Sequence, residues 1–146
     1  MRTRENIILN FENGLPKGTA QHKGERIATK YVNGRRVQYI HHYKTNAMSA
    51  TRTEFELKLK RFRPKTPSEA PIKLTVYLFF SLKYPRKLWG TYKTTRPDCD
   101  NYAKELIDAM TAVGFWKDDA QVVDLHIVKR YAEKATIWID WEELET

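Results

Sequence analysis

The chain has 146 residues, of which 41% are hydrophobic and 30% are charged, and its formal net charge is +8 at pH 7. This composition excludes an intrinsically disordered protein, and the length predicts a single domain over residues 1–146. No apolar run reaches the ~20 residues that a membrane-spanning helix needs, and the single cysteine, Cys99, excludes a disulfide framework or a cysteine-rich zinc site. We expect a soluble cytoplasmic protein that binds neither a membrane nor a small-molecule cofactor.

Charge is divided unevenly along the sequence. Residues 1–97 contain 21 Lys and Arg against 6 Asp and Glu, whereas residues 98–146 contain 5 against 12, which gives nets of +15 and −7. A basic excess of this size attracts phosphate backbones, although net charge alone leaves open a basic protein that binds no nucleic acid. The acidic third contains a cluster of four aspartates, and this cluster is the stronger functional signal.

The first half of the chain predicts three strands and one helix. The dipeptide Asn33-Gly34 between two apolar stretches is the strongest hairpin signal in the sequence. In chain order the predicted elements are a strand over 7–11, a loop over 17–25, hairpin strands over 27–32 and 36–43, a helix from Asn46 or Ser49 to about Phe62, and a proline-containing linker over 64–71.

The second half predicts a buried strand, a long loop, an amphipathic helix and two further strands. One apolar face of the helix consists of Ala103, Leu106, Ile107 and Met110, spaced i, i+3, i+4 and i+7. The predicted elements are a strand over 72–82, a loop over 83–97, a helix from Asp100 or Asn101 to about Ala112 ended by Gly114, and strands over 121–130 and 135–141. Together they predict an α+β fold with two main helices packed on a mostly antiparallel or mixed sheet.

Four aspartates flank the second helix: Asp98, Asp100, Asp118 and Asp119. If the first pair is extended, both side chains point to one side with their Cα atoms ~6.7 Å apart. Because the chain turns back after the helix, we expect the second pair to return to the level of the first, with Asp119 facing the cluster and Asp118 supporting it or binding a second metal. Clustered carboxylates in a basic chain need a cation, and oxygen ligands suit Mg²⁺ or Mn²⁺. A basic protein with such a metal site suggests a nuclease.

Each of these residues also has a purely structural interpretation. Asp100 or Asn101 is a good helix N-cap, and two adjacent aspartates are typical of a solvated turn. Lys104 is a candidate for a fixed cation beside the scissile phosphate, but an i,i+4 ion pair with Asp100 or Asp108 explains it equally well.

The loop before Arg96 mixes cations with Tyr84, Trp89 and Tyr92. Such a mixture binds phosphates and stacks on unpaired bases, while the alternative is a solvated loop whose aromatic side chains pack in the core or in a dimer interface. The candidate DNA-binding residues of this loop are Lys83, Arg86, Lys87, Lys93 and Arg96. Further candidates, which a solvated surface explains equally well, are Lys17, Lys23, Lys129 and Arg130.

The blocks RPDCDNYAKELIDAM and GFWKDDAQVVDL, followed by Lys129, resemble the RusA family of Holliday junction resolvases, and LPKGTAQHKG is similar to the opening of its phage-type members. The resemblance covers the whole length and implies a homodimeric endonuclease that uses Mg²⁺ or Mn²⁺ to nick four-way DNA junctions symmetrically. It implies that Asp98, Asp100 and Asp119 are catalytic acids, Lys104 the catalytic lysine and Asp118 a companion acid. Cys99 departs from the family, which often has leucine there.

Three other functions remain open from the sequence. They are a nuclease acting on other branched DNA, a DNA-binding module without catalytic activity, and a structural RNA-associated protein. The aspartate cluster argues against the last two, because a nucleic-acid binder gains nothing from four carboxylates that repel phosphate. A four-way junction is nearly two-fold symmetric, so paired cuts by a 17.3 kDa chain independently favour a homodimer.

Overall fold

The computed structural model describes residues 2–17, 23–44 and 46–146, with the side chains of all these residues except 23–25, 42–44 and 46–49. Most of the predicted loop over 17–25 and the two proposed caps of the first helix, Asn46 and Ser49, therefore lie outside the described side chains. Within these ranges, no helix combines the length and the apolar character needed to cross a membrane.

The strands and helices follow the predicted order. They are β1 (Arg4–Asn10), β2 (Lys23–Val32), β3 (Arg35–Lys44), α1 (Asn46–Leu59), β4 (Ile72–Ser81), α2 (Cys99–Val113), β5 (Val122–Ala132) and β6 (Thr136–Glu143). In the described part of the chain, one-turn 3₁₀ helices occupy Lys60–Phe62, Arg86–Leu88 and Asp119–Gln121.

Four strands form one mixed sheet in the order β1-β6-β4-β5. The pairs β1–β6 and β6–β4 are antiparallel, whereas β4 and β5 are parallel because α2 crosses over between them. The α+β prediction is therefore confirmed. The parallel pair fixes the direction of β5, and that direction decides where the second pair of aspartates lies.

The core lies between one face of this sheet and the two helices. Along β4, side chains alternate, so that Ile72, Leu74, Val76 and Leu78 are fully buried against the helices. The helix α2 contributes Leu106 and Met110 of the predicted apolar face, and α1 contributes Phe55 and Leu59. Cys99 is half-buried at the start of α2.

The ends of α2 are set by two residues. Gly114 adopts φ +100°, a left-handed conformation that costs little only for glycine, and ends the helix as predicted. The N-cap is Asp98 rather than Asp100 or Asn101, because Asp98 keeps an extended backbone while its carbonyl oxygen accepts the N–H of Tyr102 at 3.1 Å. The cap prediction was wrong by two or three residues.

The strands β2 and β3 form a separate two-stranded sheet. Asn33 and Gly34 both have positive φ, 52° and 76°, as the tight hairpin turn predicted from these two residues requires. Every side chain from 29 to 40 is exposed, so this part of the hairpin projects away from the rest of the protein.

Candidate active site

The first two aspartates lie at the N-terminus of α2. Asp98 is the N-cap and Asp100 lies in the first helical turn, so the predicted extended geometry holds for Asp98 but not for Asp100. Both residues are exposed, and the side chain of Asp98 makes no capping hydrogen bond. The helix N-terminus stabilises negative charge, and the two carboxylates remain available to a ligand from solvent.

A lysine on the neighbouring strand fixes the segment that leads into Asp98. The ammonium of Lys129, on β5, donates to the carbonyl oxygens of Thr95 at 2.8 Å and of Pro97 at 2.7 Å. The ammonium of Lys93 donates to the hydroxyl oxygen of Thr95 at 2.6 Å. Lys129 is one of the predicted DNA-binding residues, and in the structure its ammonium holds the segment that precedes Asp98.

A cleft of about 680 Å³ opens beside Asp98. Its wall includes three of the predicted DNA-binding cations, Lys17, Lys93 and Arg96. Lys17 is brought there because the hydroxyl of Tyr102, on α2, donates to the carbonyl oxygen of Pro16 at 2.9 Å. Burial raises the pKa of this tyrosine, so the hydroxyl remains a neutral donor. The structure thus places one candidate catalytic carboxylate among three candidate phosphate-binding cations.

Three further residues of this cleft, Phe80, Asn101 and Tyr131, were not predicted from the sequence as site residues. Phe80 and Tyr131 lie in its wall, and the ammonium of Lys93 is 5.3 Å from the centroid of each ring. Asn101 is 5% exposed, and its Oδ1 has no hydrogen-bond partner. In the sequence, Asn101 and Glu105 are polar residues four apart beside the apolar face of the helix. In the structure both side chains are buried.

The second pair of aspartates lies at the other end of α2. Asp118 and Asp119 belong to the turn that precedes β5, and Gln121 ties this turn to Ser68 and Ala70, beside the start of β4. From this turn, β5 needs seven residues, ~23 Å, to run from Val122 to Lys129 at the Asp98 end. The expectation that the four aspartates converge within one chain was wrong. A strand that returns along a helix begins beside the helix C-terminus, not beside its N-terminus.

The carboxylate of Asp118 has the structural role that adjacent aspartates in a turn suggest. Its Oδ1 accepts the N–H of Ala120 at 2.8 Å, which lowers the pKa of Asp118, and a hydrogen bond with the side chain of Asp119 acts in the same direction. The two side chains therefore contact each other. Two carboxylates presented together are available at this end of the sheet.

Lys104 lies one helical turn after Asp100 and is exposed. Its ammonium is 3.6 Å from Oδ2 of Asp108, the i,i+4 pair that we considered as an alternative to a catalytic role. Asp108 is also bound by Arg52 of α1, at 3.1 Å, and the Nε of Arg52 donates to the buried Glu105 at 3.0 Å. Lys104 thus shares its partner Asp108 with Arg52, which lies closer to it, and the Lys104 ammonium remains accessible from solvent.

The remaining basic candidates differ in whether their charged groups contact other parts of the protein or are exposed to solvent. Lys83, Arg86 and Lys87 are exposed on the loop before Arg96. The guanidinium of Arg130 donates to the carbonyl oxygen of Gly90 and to the hydroxyl of Tyr92 and lies 4.2 Å from the centroid of the Tyr92 ring. The side chain of Lys23 lies outside those described.

The three aromatic residues of the loop are not equivalent. The indole N–H of Trp89 donates to the carbonyl oxygen of Leu82 at 2.7 Å, so this ring packs against the protein. Tyr84 and Tyr92 are 67% and 64% exposed. Trp89 thus matches the interpretation that the loop aromatics pack against the protein, whereas Tyr84 and Tyr92 are exposed enough to stack on unpaired bases.

Comparison with known proteins identifies the family of the chain. The family described as "Endodeoxyribonuclease RusA" matches residues 14–141. The protein named crossover junction endodeoxyribonuclease rusA of Lactococcus phage r1t is 36% identical over 138 residues, which are 93% of this chain and 97% of that protein. The chain belongs to the RusA family. The protein of the same name in Escherichia coli K12 is 59% identical over 34 residues, which are 23% of this chain and 28% of that protein. The uncharacterized protein YqaN of Bacillus subtilis is 32% identical over 87 residues, which are 51% of this chain and 59% of that protein.

A pair of carboxylates in this RusA-family chain is suited to binding a divalent metal ion. Within the described part of the chain, no group of three or more His, Cys, Asp or Glu is arranged to hold a metal ion. Two exposed carboxylates near the N-terminus of a helix nevertheless suffice for Mg²⁺, which proteins commonly bind through one or two carboxylates together with substrate phosphates. Asp98 and Asp100 therefore fit a metal that the DNA itself helps to bind.

Proposed function

We propose that this chain is a metal-dependent endodeoxyribonuclease that resolves four-way DNA junctions by paired phosphodiester hydrolysis, with residues 1–146 acting as one domain. The observation that carries the proposal is the cleft in which Asp98 lies beside Lys17, Lys93 and Arg96. A carboxylate among cations is the arrangement that a phosphate backbone and a bridging metal require. The match to the phage protein over almost its full length supports the junction as substrate.

The division of roles follows from position. Asp98 and Asp100 would hold Mg²⁺ or Mn²⁺, and the metal would supply an activated water and offset charge on the phosphate. Lys17, Lys93 and Arg96 hold the phosphate backbone in the cleft. Lys104, one turn from Asp100, stabilises negative charge that develops on the phosphate or the leaving oxygen. Lys129 holds Asp98 in place through the backbone of Pro97.

The second aspartate pair requires a second copy of the chain. Among the described residues, no strand pairs with the outer edge of β5 from Val122 to Val128, whereas the loop from Gly90 to Lys93 covers the edge beyond it. Val123 and Leu125 are 62% and 44% exposed on this stretch. An uncovered strand with exposed apolar side chains is a template for pairing. We infer a homodimer in which two β5 strands pair antiparallel around a two-fold axis.

Such a dimer completes the active site. If Val122 pairs with Val128 of the partner subunit, the antiparallel register puts Asp119 of one chain level with Tyr131 of the partner subunit. Tyr131 and Asp98 line the same cleft. The dimer therefore brings Asp118 and Asp119 of one chain to Asp98 and Asp100 of the other, twice, with one site for each strand to be cut. In this arrangement each site contains all four assigned acids, two from each chain, although a single chain holds the two pairs at opposite ends of α2.

The test of this function is cleavage of synthetic DNA by the purified protein. We expect paired nicks in a four-way junction with MgCl₂, none with EDTA, and no nicks in the linear duplex of the same sequence. The variant Asp100→Asn should bind the junction without cutting it. Equal cutting of forks would indicate a nuclease for branched DNA in general. Binding without Mg²⁺- or Mn²⁺-dependent cutting of any DNA would favour a binding module and contradict the proposal.

A further inference from the structure

The hairpin β2–β3 has no role in the active site described above. Each strand has ten residues, so the hairpin is ~33 Å long, and every side chain from 29 to 40 is exposed. An isolated two-stranded hairpin is at best marginally stable in water. A projection of this length, with all its side chains from 29 to 40 exposed, is suited to a partner. We call residues 23–44 the arm.

The charge of the arm identifies the class of partner. The sequence of the arm contains one acidic residue, Glu25, and six basic residues, Lys23, Arg26, Lys30, Arg35, Arg36 and Lys44, a net of +5. Arg35 and Arg36 are adjacent at the tip, so their side chains point to opposite faces of the ribbon. Both faces therefore carry positive charge at the end farthest from the protein. A polyanion complements such a surface, whereas a second copy of a +8 chain does not.

The uncharged residues of the arm suit the same partner. Tyr31, Ile27 and Ile40 are 74%, 73% and 60% exposed and share one face, because Ile27 pairs directly with Ile40 and Tyr31 lies four residues further along the same strand. Exposed rings between cations bind nucleic acids by stacking on bases while the cations contact phosphates. The opposite face carries Lys30, whose ammonium is 5.2 Å from the centroid of the Tyr39 ring.

We propose that the arm is a second DNA-binding surface, which contacts a double-stranded arm of the branched substrate away from the cut site. The proposal rests on the proposed function, since it assigns the arm to the same DNA. The major groove is about 12 Å wide and admits a two-stranded ribbon. The arm begins at Lys23, six residues after Lys17 in the cleft, so its base lies within ~20 Å of the bound phosphates. From there the arm reaches a second DNA duplex of the four-way junction. A linear DNA molecule has no such second duplex.

The test compares two variants that lose the same charge. The arm variant carries Lys30→Ala, Arg35→Ala and Arg36→Ala, and the control carries Lys60→Ala, Arg63→Ala and Lys65→Ala, three exposed cations outside the arm. Binding to a four-way junction and to a linear duplex is measured in Ca²⁺, without cutting, from 50 to 300 mM salt. We expect the arm variant to lose at least about tenfold in junction affinity, with the salt slope reduced by up to about 2.7, and to lose less for the duplex. The control should change both affinities by less than about threefold.

A second variant tests the uncharged face. Tyr31→Ser should weaken junction binding by at least about fivefold and leave the salt slope unchanged, because stacking releases no counterions. The thermal unfolding midpoints of both arm variants should match that of the control, so that a loss of junction binding does not reflect misfolding.

Three outcomes overturn the proposal. Equal losses in the arm variant and the control would show that only total charge matters. Unchanged junction binding by the arm variant, while wild type nicks normally, would show that the arm does not contribute to DNA binding. The proposed function would be unaffected. A change from dimer to monomer in sedimentation would make the arm a subunit contact. If wild type nicks no DNA, the proposed function fails, and the comparison of binding still decides whether the arm contacts DNA.

Discussion

The ammonium of Lys129 lies 2.7 Å from the carbonyl oxygen of Pro97, the residue immediately before Asp98. The two residues are 32 positions apart in the chain. A lysine on the last third of β5 thereby sets the position of a carboxylate at the start of α2. Hydrogen bonds from a charged donor are about twice as strong as neutral ones, so this contact fixes the backbone more firmly than an ordinary loop hydrogen bond.

The first prediction concerns this contact. Lys129→Met should lower the turnover of bound junction by about 10- to 100-fold while junction affinity falls less than about threefold, because the side chain positions Asp98 and does not contact DNA. Single-turnover nicking and gel-shift titrations measure the two effects separately. Lys87→Met, which removes an exposed loop cation, is the matched control and should weaken binding without slowing turnover. A loss in Lys129→Met that is confined to affinity would return this residue to the DNA-binding set.

The second prediction concerns the cations of the cleft. Arg96→Ala should weaken junction binding and reduce the slope of log affinity against log salt by about 0.9, the change expected for one lost phosphate contact. Fluorescence anisotropy from 50 to 300 mM salt measures the slope. The exposed Lys65, on the linker before β4, is the control position, and its replacement by alanine should leave the slope as it is. A slope for Arg96→Ala equal to that of wild type would contradict the assignment of the cleft to the DNA backbone.

The third prediction concerns stability. The side chain of Glu105 is 4% exposed, and Arg52, itself 20% exposed, holds both Glu105 and Asp108. Arg52→Met should lower the free energy of unfolding by about 3 kcal/mol, because it leaves a buried carboxylate without its cation. Lys104→Met removes only the exposed ion pair with Asp108 and should cost less than about 1 kcal/mol. Urea unfolding measures both. Arg52→Met together with Glu105→Leu should recover part of the loss; a double variant less stable than Arg52→Met would refute this explanation.

The fourth prediction separates the two interpretations of Lys104. If its ammonium stabilises charge during hydrolysis, Lys104→Ala should reduce turnover about 100-fold with little change in binding. Asp108→Asn is the comparison, because it removes the ion-pair partner but keeps the ammonium. Equal losses of turnover in the two variants would show that the lysine acts only through the helix.

The features predicted correctly from the sequence depend on residues close together in the chain. Asn33-Gly34 produced the expected hairpin turn because both residues tolerate positive φ. Gly114 ended α2 for the same reason, and the spacing of Leu106 and Met110 identified the buried helix face. The clustering of Lys17, Lys93 and Arg96 with Asp98 is a different case, since the sequence suggested these cations singly and only tertiary contacts such as that of Tyr102 with Pro16 bring them together.

The main error came from the direction of β5. The sequence shows that a strand follows α2, but parallel pairing with β4 is a contact between distant segments, and it places Asp119 at the far end of the helix from Asp98. For the same reason the hydrogen bonds of Lys129 were not predicted, because its partners Thr95 and Pro97 lie in a loop whose conformation the sequence does not indicate. The proposal that residues from two copies complete one site comes from the positions of the two aspartate pairs in the fold, which the sequence alone does not indicate.

The central claim is that each active site takes Asp100 from one chain and Asp119 from the other, and mixing two inactive variants tests it most directly. Asp100→Asn and Asp119→Asn should each abolish nicking alone. Refolded together, they should form mixed dimers in which one of the two sites has both aspartates intact, and these dimers should nick one strand of the junction without the paired second cut. If the mixture remains inactive although mixed dimers are present, the site lies within one chain or requires no Asp119 from a partner, and the proposed arrangement is wrong.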